Sequence, residues 1–215
     1  YRSCCVGVSL QGDIAVDSIV SQACRPVGEP MRVTACDGRV LTEVDGQKPL
    51  EVLGRLFDSL AGLDRELVGS ALNLGIAMDP VKESPGIGDF VIRNIIGVDY
   101  EQGAVAVSTL LREGMTVQFH LRDSGTSAQE LENALGKYSA KRTTGEDSGA
   151  LLFSSLGRGS RLYDRGDHDT GMFGQKVGPM PLTGFFCDGE IVPVGGSTFL
   201  HAYTSSFAVF RPKAS

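Results

Sequence analysis

Leu156-Gly157-Arg158-Gly159-Ser160 is the first place in this chain where residue type and spacing suggest chemistry. Glycines on both sides of an arginine let the backbone turn sharply and carry the guanidinium into a cleft, where it can clamp a carboxylate through two parallel hydrogen bonds. The same pattern is also read as a plain turn with a solvated arginine. It is not a nucleotide-phosphate loop, because the Gly-Lys-Ser/Thr ending is missing. Arg93-Asn94 interrupts an apolar run from Phe90 to Ile96. A charge inside such a strand needs a partner or a wet face, so Arg93 is either an ion-pair member or the lining of a polar pocket. His201 and Tyr203 lie two apart at an expected strand start and so share a face. Ser154, Ser155, His201, Asp188 and Glu190 supply the residue types of a hydrolytic triad, yet no Gly-x-Ser-x-Gly elbow frames either serine. Asp164, Asp167, His168 and Asp169 gather oxygen ligands suited to calcium, but without the spacing or the closing glutamate of a calcium loop, and they also read as a solvated loop.

These residues need a scaffold, and the composition permits one. The chain has 215 residues, with 41% hydrophobic and 21% charged, which is ordinary globular usage. The 28 glycines favour a turn-rich β structure. The net charge is −6 and basic residues do not cluster, so a nucleic-acid partner is not expected. No apolar run approaches the roughly 20 residues that span a bilayer, and no membrane partner is expected. Five cysteines, at 4, 5, 24, 36 and 187, have neither the even count nor the spacing of a disulfide framework, and there is no Cys-x-x-Cys pair. Reduced thiols in a cytoplasmic compartment, with no metal and no cofactor, are the expectation. The first residues, which lack an initiating Met, read as strand interior from a trimmed chain.

Strands are expected at residues 3–10, Val16–Ala23 and Met31–Ala35, with Pro26 breaking the ladder between the last two. Asp37-Gly38 marks a hairpin into Arg39–Val44, and Asp45-Gly46 ends it. Pro49 opens a helix with Leu50, Leu53, Leu56, Phe57 and Leu60 on one face. Asp64 is expected to cap a second helix, which carries Leu67, Val68, Ala71 and Leu72. The Pro- and Gly-bearing stretch Asp79–Gly88 is the expected boundary between domains at 1–79 and 80–215. Beyond it come strands at Phe90–Asp99, Ala104–Ser108 and Met115–Leu121, with His120 on the sheet surface. A capping box at Ser127–Glu130 starts a helix at Ala128, and Thr143–Ser148 is a polar loop. Gly149–Ser155 is a strand, Gly157–Met180 is largely irregular, and Pro181–Phe186, Glu190–Val194 and Tyr203–Phe210 are the last strands. The fold class is α+β, mainly antiparallel sheets with a few packed helices.

Several blocks together resemble the FIST family of intracellular sensory modules. They are Phe90–Asp99, Gly114–Asp123, Gly149–Gly159, Gly184–Pro193 and Phe199–Thr204. Residues from about 80 onward resemble a complete C-terminal FIST unit, and residues 1–79 the tail of an N-terminal one. The resemblance implies binding rather than catalysis. It implies a sensory, signal-transduction module for a small ligand such as an amino acid or carboxylate. A protein-interaction adaptor is the alternative, with a possible protein partner, and a hydrolase is a remoter one. It adds support to Arg158 and His201, and the ligand-binding set is Arg93, Asn94, Gly157, Arg158, Gly159, Glu190, His201 and Tyr203. Many members carry Cys where this chain has Ser155, and Gly where it has Ala202, so a thiol mechanism is not transferred.

Overall fold

The computed structural model describes residues 7–141, 148–194 and 196–213. The chain builds an α+β fold with two β layers. The first is a closed six-stranded barrel made of β2 (Cys24–Asp37), β3 (Val40–Val44), β6 (Ala104–Val107), β5 (Phe90–Asp99), β4 (Leu72–Ala77) and β7 (Thr116–Arg122), in that order around the ring. Closure leaves no free barrel edge. Alternating residues of these strands point inward, and Val33, Leu41, Leu74, Val105, Val117 and Phe119 form a dry core. Helices α1 (Pro49–Ser59) and α2 (Gly62–Ala71) lay Leu53, Leu56 and Leu67 against it.

The second layer is a four-stranded sheet in the order β1 (Ile14–Ser21), β12 (Ser205–Pro212), β8 (Gly149–Ser155) and β9 (Leu182–Cys187). Helices α3 (Ser124–Lys141) and α5 (His168–Val177) cover one face, with Leu131, Leu135, Phe173 and Val177 packed on Leu152, Phe207 and Val209. Phe173 stacks on Phe207 at 5.1 Å. A short helix α4 (Ser160–Tyr163) and a separate hairpin of β10 (Glu190–Val194) and β11 (Ser197–His201) complete the described chain. Among the described residues, all strand pairings are antiparallel except β8 with β9. Among them too, no helix is long and apolar enough to cross a membrane.

Several expectations give way to the structure. Of the strand expected at 3–10, residues 3–6 lie outside the described residues and 7–10 form no strand. Pro26 does not break the ladder. β2 runs through it with a bulge between Val27 and Met31, because β2 has a neighbour only on the β7 side there and its pairing with β3 begins at Val33. Asp64 is not the cap of α2, whose N-cap is Ala61, and its carboxylate instead pairs with Arg25. The apolar run continuing that helix is β4, which begins at Leu72 itself. Helix α3 starts at Ser124 rather than Ala128, since Asp123 accepts the Thr126 N–H at 2.8 Å and Ser127 is drawn inside to the Tyr163 hydroxyl. The stretch expected to be irregular after Gly157 holds α4 and the ten-residue α5. β11 adds a strand beyond those expected, and β12 begins at Ser205 because Tyr203 sits at φ +62° in the turn before it. His120 is not at a solvent surface: alternation with Phe119 and Leu121 turns it to the outer face of the barrel wall, where it is 1% exposed, its ring over Gly75 and edge-on to Phe90. The expected loop 143–148 lies, but for Ser148, outside the described residues. The barrel draws β2, β3 and β4 from before residue 79 and β5, β6 and β7 from after it.

Candidate functional site

A cleft of about 560 Å³ opens where barrel strand β5 faces the turn after β8 and the turn between β11 and β12. Three guanidinium groups line it, from Arg93 on β5, Arg122 at the end of β7 and Arg161 on α4. The Arg93 Nη1 donates to the carbonyls of Leu200 (3.0 Å) and Ile92 (3.1 Å), which fixes its direction. Its other N–H groups meet no acceptor among the described residues and remain open to the cleft. Arg122 donates from Nη1 to the Gly157 carbonyl at 2.9 Å and lies 4.9 Å over the Tyr203 ring. The Arg161 side chain makes no hydrogen bond among the described residues. One carboxylate, Asp188, faces the three cations. The Tyr203 hydroxyl donates to the Asn94 Oδ1 at 2.9 Å, which ties the turn to the barrel. Gly157 is required here, because a Cβ would lie 2.8 Å from the Tyr203 ring and 3.0 Å from the Arg122 Nη1.

Five of the eight expected ligand residues line this cleft: Arg93, Asn94, Gly157, His201 and Tyr203. Arg158, Gly159 and Glu190 do not. Arg158 is 1% exposed and holds Asp169 through Nε (2.8 Å) and Nη2 (3.2 Å), the Tyr163 hydroxyl through Nη2 (2.8 Å) and the Tyr203 carbonyl through Nη1 (3.4 Å). Four of its five donors are occupied inside the protein, where it supports the turn that presents Tyr203. Burial by itself would raise the Asp169 carboxyl, but the Arg158 guanidinium, the Ser205 hydroxyl and His168 outweigh it and hold Asp169 below the usual range. Gly159, at φ +59°, lets the chain swing from that buried arginine into α4.

Glu190 pairs with His201 across the hairpin and both are buried, at 3% and 1% exposure. Burial pushes the Glu190 carboxyl up despite the donors of Cys187, Thr204 and Gly189. Burial, together with the nearby Arg93, takes His201 down to about 4, so its ring is neutral near pH 7. The Nε2 of His201 and Oε2 of Glu190 have no hydrogen-bond partner among the described residues. Cys187 is pushed up to about 11 by burial and by Glu190, which makes it a poor thiolate.

The triad residues are not assembled as a nucleophile and its base. The Ser154 hydroxyl faces that of Ser205 at 3.3 Å, and the Ser155 hydroxyl accepts the Gly157 N–H at 3.3 Å. The acidic cluster is split: Asp164 and Asp167 are exposed, while Asp169 is committed to Arg158. Among the described residues, no three His, Cys, Asp or Glu side chains converge as metal ligands. Arg122 and Arg161 are absent from the set expected on sequence grounds. Arg122 stands in plain view at the end of the β7 block, but nothing in its spacing ties it to Tyr203. Arg161 reaches the cleft only because Gly159 starts a turn of helix.

Family models describe the chain as a FIST C domain over residues 49–193 and a FIST N domain over residues 1–47. The uncharacterized protein Rv0628c of Mycobacterium tuberculosis is 42% identical over 205 residues, 95% of this chain and 53% of that protein. The uncharacterized protein Mb0898c of Mycobacterium bovis is 40% identical over the same shares of each. The chain thus spans about half the length of the curated relatives it matches.

Proposed function

The chain belongs to the FIST family, whose domains generally serve as sensory modules in signal transduction, and from that premise we propose that its cleft is the sensing site for a small carboxylate or amino acid. The observation that supports this reading is the convergence of Arg93, Arg122 and Arg161 on one cleft opposite a single carboxylate, Asp188. Arginine is suited to planar, bidentate capture of a carboxylate. Asp188 is the natural partner for the ammonium group of a zwitterion. The Asn94–Tyr203 pair adds polar contacts at the rim, while the neutral His201 ring is buried behind it. Arg158 acts at one remove, by holding the Tyr203 turn and Asp169 in place. In this reading the chain binds and reports; it carries out no bond-making step.

A thermal-shift screen over amino acids and small carboxylates tests the proposal. A ligand that binds the folded chain raises the midpoint in a concentration-dependent way. Arg93→Gln and Arg161→Gln should each weaken the best hit roughly 10- to 100-fold, the range for loss of a charge-assisted hydrogen bond. A hit whose stabilisation survives both substitutions places the ligand elsewhere.

A further inference from the structure

A second cavity, of about 430 Å³, opens where the first turn of α5 meets β8 and β9, and it shares no lining residue with the arginine cleft. Leu152, Leu182, Phe185 and Phe186 give it apolar walls. Phe185 and Phe186 are 62% and 57% exposed, an unusual extent of aromatic surface unless something covers it. Among its polar lining residues, one imidazole is fixed in place. His168 is 6% exposed, its Nδ1 lies 2.9 Å from Asp169 Oδ1, and its ring stacks on Tyr163 at 3.6 Å. Asp169 is held ionised by Arg158 and Ser205, so the single proton of a neutral His168 ring sits on Nδ1, facing the carboxylate. That leaves Nε2 with its lone pair and with no partner among the described residues, on a ring that lines the cavity. The rim carries the exposed carboxylate of Asp167 and no cationic side chain, so the cavity disfavours anions.

We propose that this cavity is a second binding site, for an uncharged, ring-sized apolar molecule carrying one hydroxyl or N–H donor, with His168 Nε2 as the acceptor. A dry space of about 150 Å³ already accommodates benzene, so the volume suffices for a substituted ring. Asp169 and Tyr163 fix the imidazole, and Phe186, Leu152 and Leu182, which share the cavity face of the sheet, provide the contact area. The site is independent of the anion cleft and stands or falls without it.

The test is an NMR titration of the ¹⁵N-labelled chain at pH 8 with p-cresol and with toluene, two probes that differ only in the hydroxyl. Saturable shifts are expected for p-cresol at the β9 amides, at the first turn of α5 and at the His168 imidazole nitrogens. p-Cresol should bind about three- to tenfold more tightly than toluene, the range for one neutral hydrogen bond. His168→Phe, which keeps the stacking on Tyr163, should abolish that preference. Thr170→Trp, a change on an exposed lining residue in the first turn of α5, should weaken both probes at least tenfold by filling the space, and it decides the matter if the His168 variant fails to fold. The absence of saturable binding, shifts confined to other surfaces, a preference for p-cresol that survives His168→Phe, or unchanged binding to the Thr170 variant would each overturn the proposal.

Discussion

Arg158 carries its full charge into the interior, and the neighbourhood is arranged to hold it. Removing only one member of a buried, hydrogen-bonded pair leaves the other desolvated and unpaired, which costs about 3–5 kcal/mol. Arg158→Met should therefore lower unfolding stability by about that amount in urea denaturation, because Asp169 would keep only Ser205 and His168. The double variant Arg158→Met/Asp169→Leu should recover much of the loss. If it loses as much again, the pair is not the unit that matters. Buried titrating groups supply the second prediction at this scale. Burial pushes His120 down to about 4, burial and Arg93 push His201 down to about 4, and burial pushes Glu130 up to about 7. Between pH 6.5 and 4 the unfolded chain takes up protons on the histidines that the folded chain refuses, so their contribution is present above pH 6.5 and is lost as acid is added. Glu130 has the opposite sign: the folded chain holds a proton up to about pH 7 that the unfolded chain gives up above 4.5, so its contribution is present in acid and lost as pH rises. Glu130→Gln should thus be more stable than the parent at pH 8 by about 3 kcal/mol and nearly equal to it at about pH 4. A difference that does not change with pH would contradict this. None of these couplings is legible in the sequence. Gly157-Arg158-Gly159 announces an arginine that matters, but the partner that decides its role, Asp169, lies eleven residues on in what reads as a solvated acidic loop.

At the scale of elements, periodicity is a sound guide wherever burial is one-sided. Pro49–Ser59 emerges as a helix with its leucines on the barrel, and Phe90–Asp99 and Gly149–Ser155 are strands with the expected bounds. It misleads where an element is short or its two neighbours differ. Leu72, the first residue of β4, reads as the last of a helix because Leu67, Val68, Ala71 and Leu72 keep helical spacing until the chain enters the barrel. β4 is also where the barrel demands a glycine. A Cβ on Gly75 would fall 2.4 Å from His120 Cε1 and 3.1 Å from Phe90 Cβ. Gly75→Ala should therefore push the imidazole out of its packed position at a cost of about 1–3 kcal/mol, the usual penalty of overpacking. The displaced ring regains solvent, so the titration of His120, followed by NMR, should move up from about 4 toward the ordinary histidine value. An unmoved titration in a folded variant would show that the barrel wall, not the ring, yields.

At the scale of the whole molecule, the barrel and the open sheet are separate layers, each with its own apolar cluster. The arginine cleft lies between elements of both: Arg93 and Arg122 come from the barrel, while Arg161 and Tyr203 come from the segments around the sheet. That is why the α+β class is legible in the chain while the arrangement of the site is not, since strand patterns do not specify which loops two layers bring together. The central claim is that these layers present three arginines to one anionic ligand. Isothermal titration of the best carboxylate or amino-acid hit into the parent chain and into Arg93→Gln, Arg161→Gln and the double variant tests it most directly. One saturable site is expected in the parent, with a roughly 10- to 100-fold loss in each single variant and no measurable binding in the double. Undiminished binding by the double variant would contradict it.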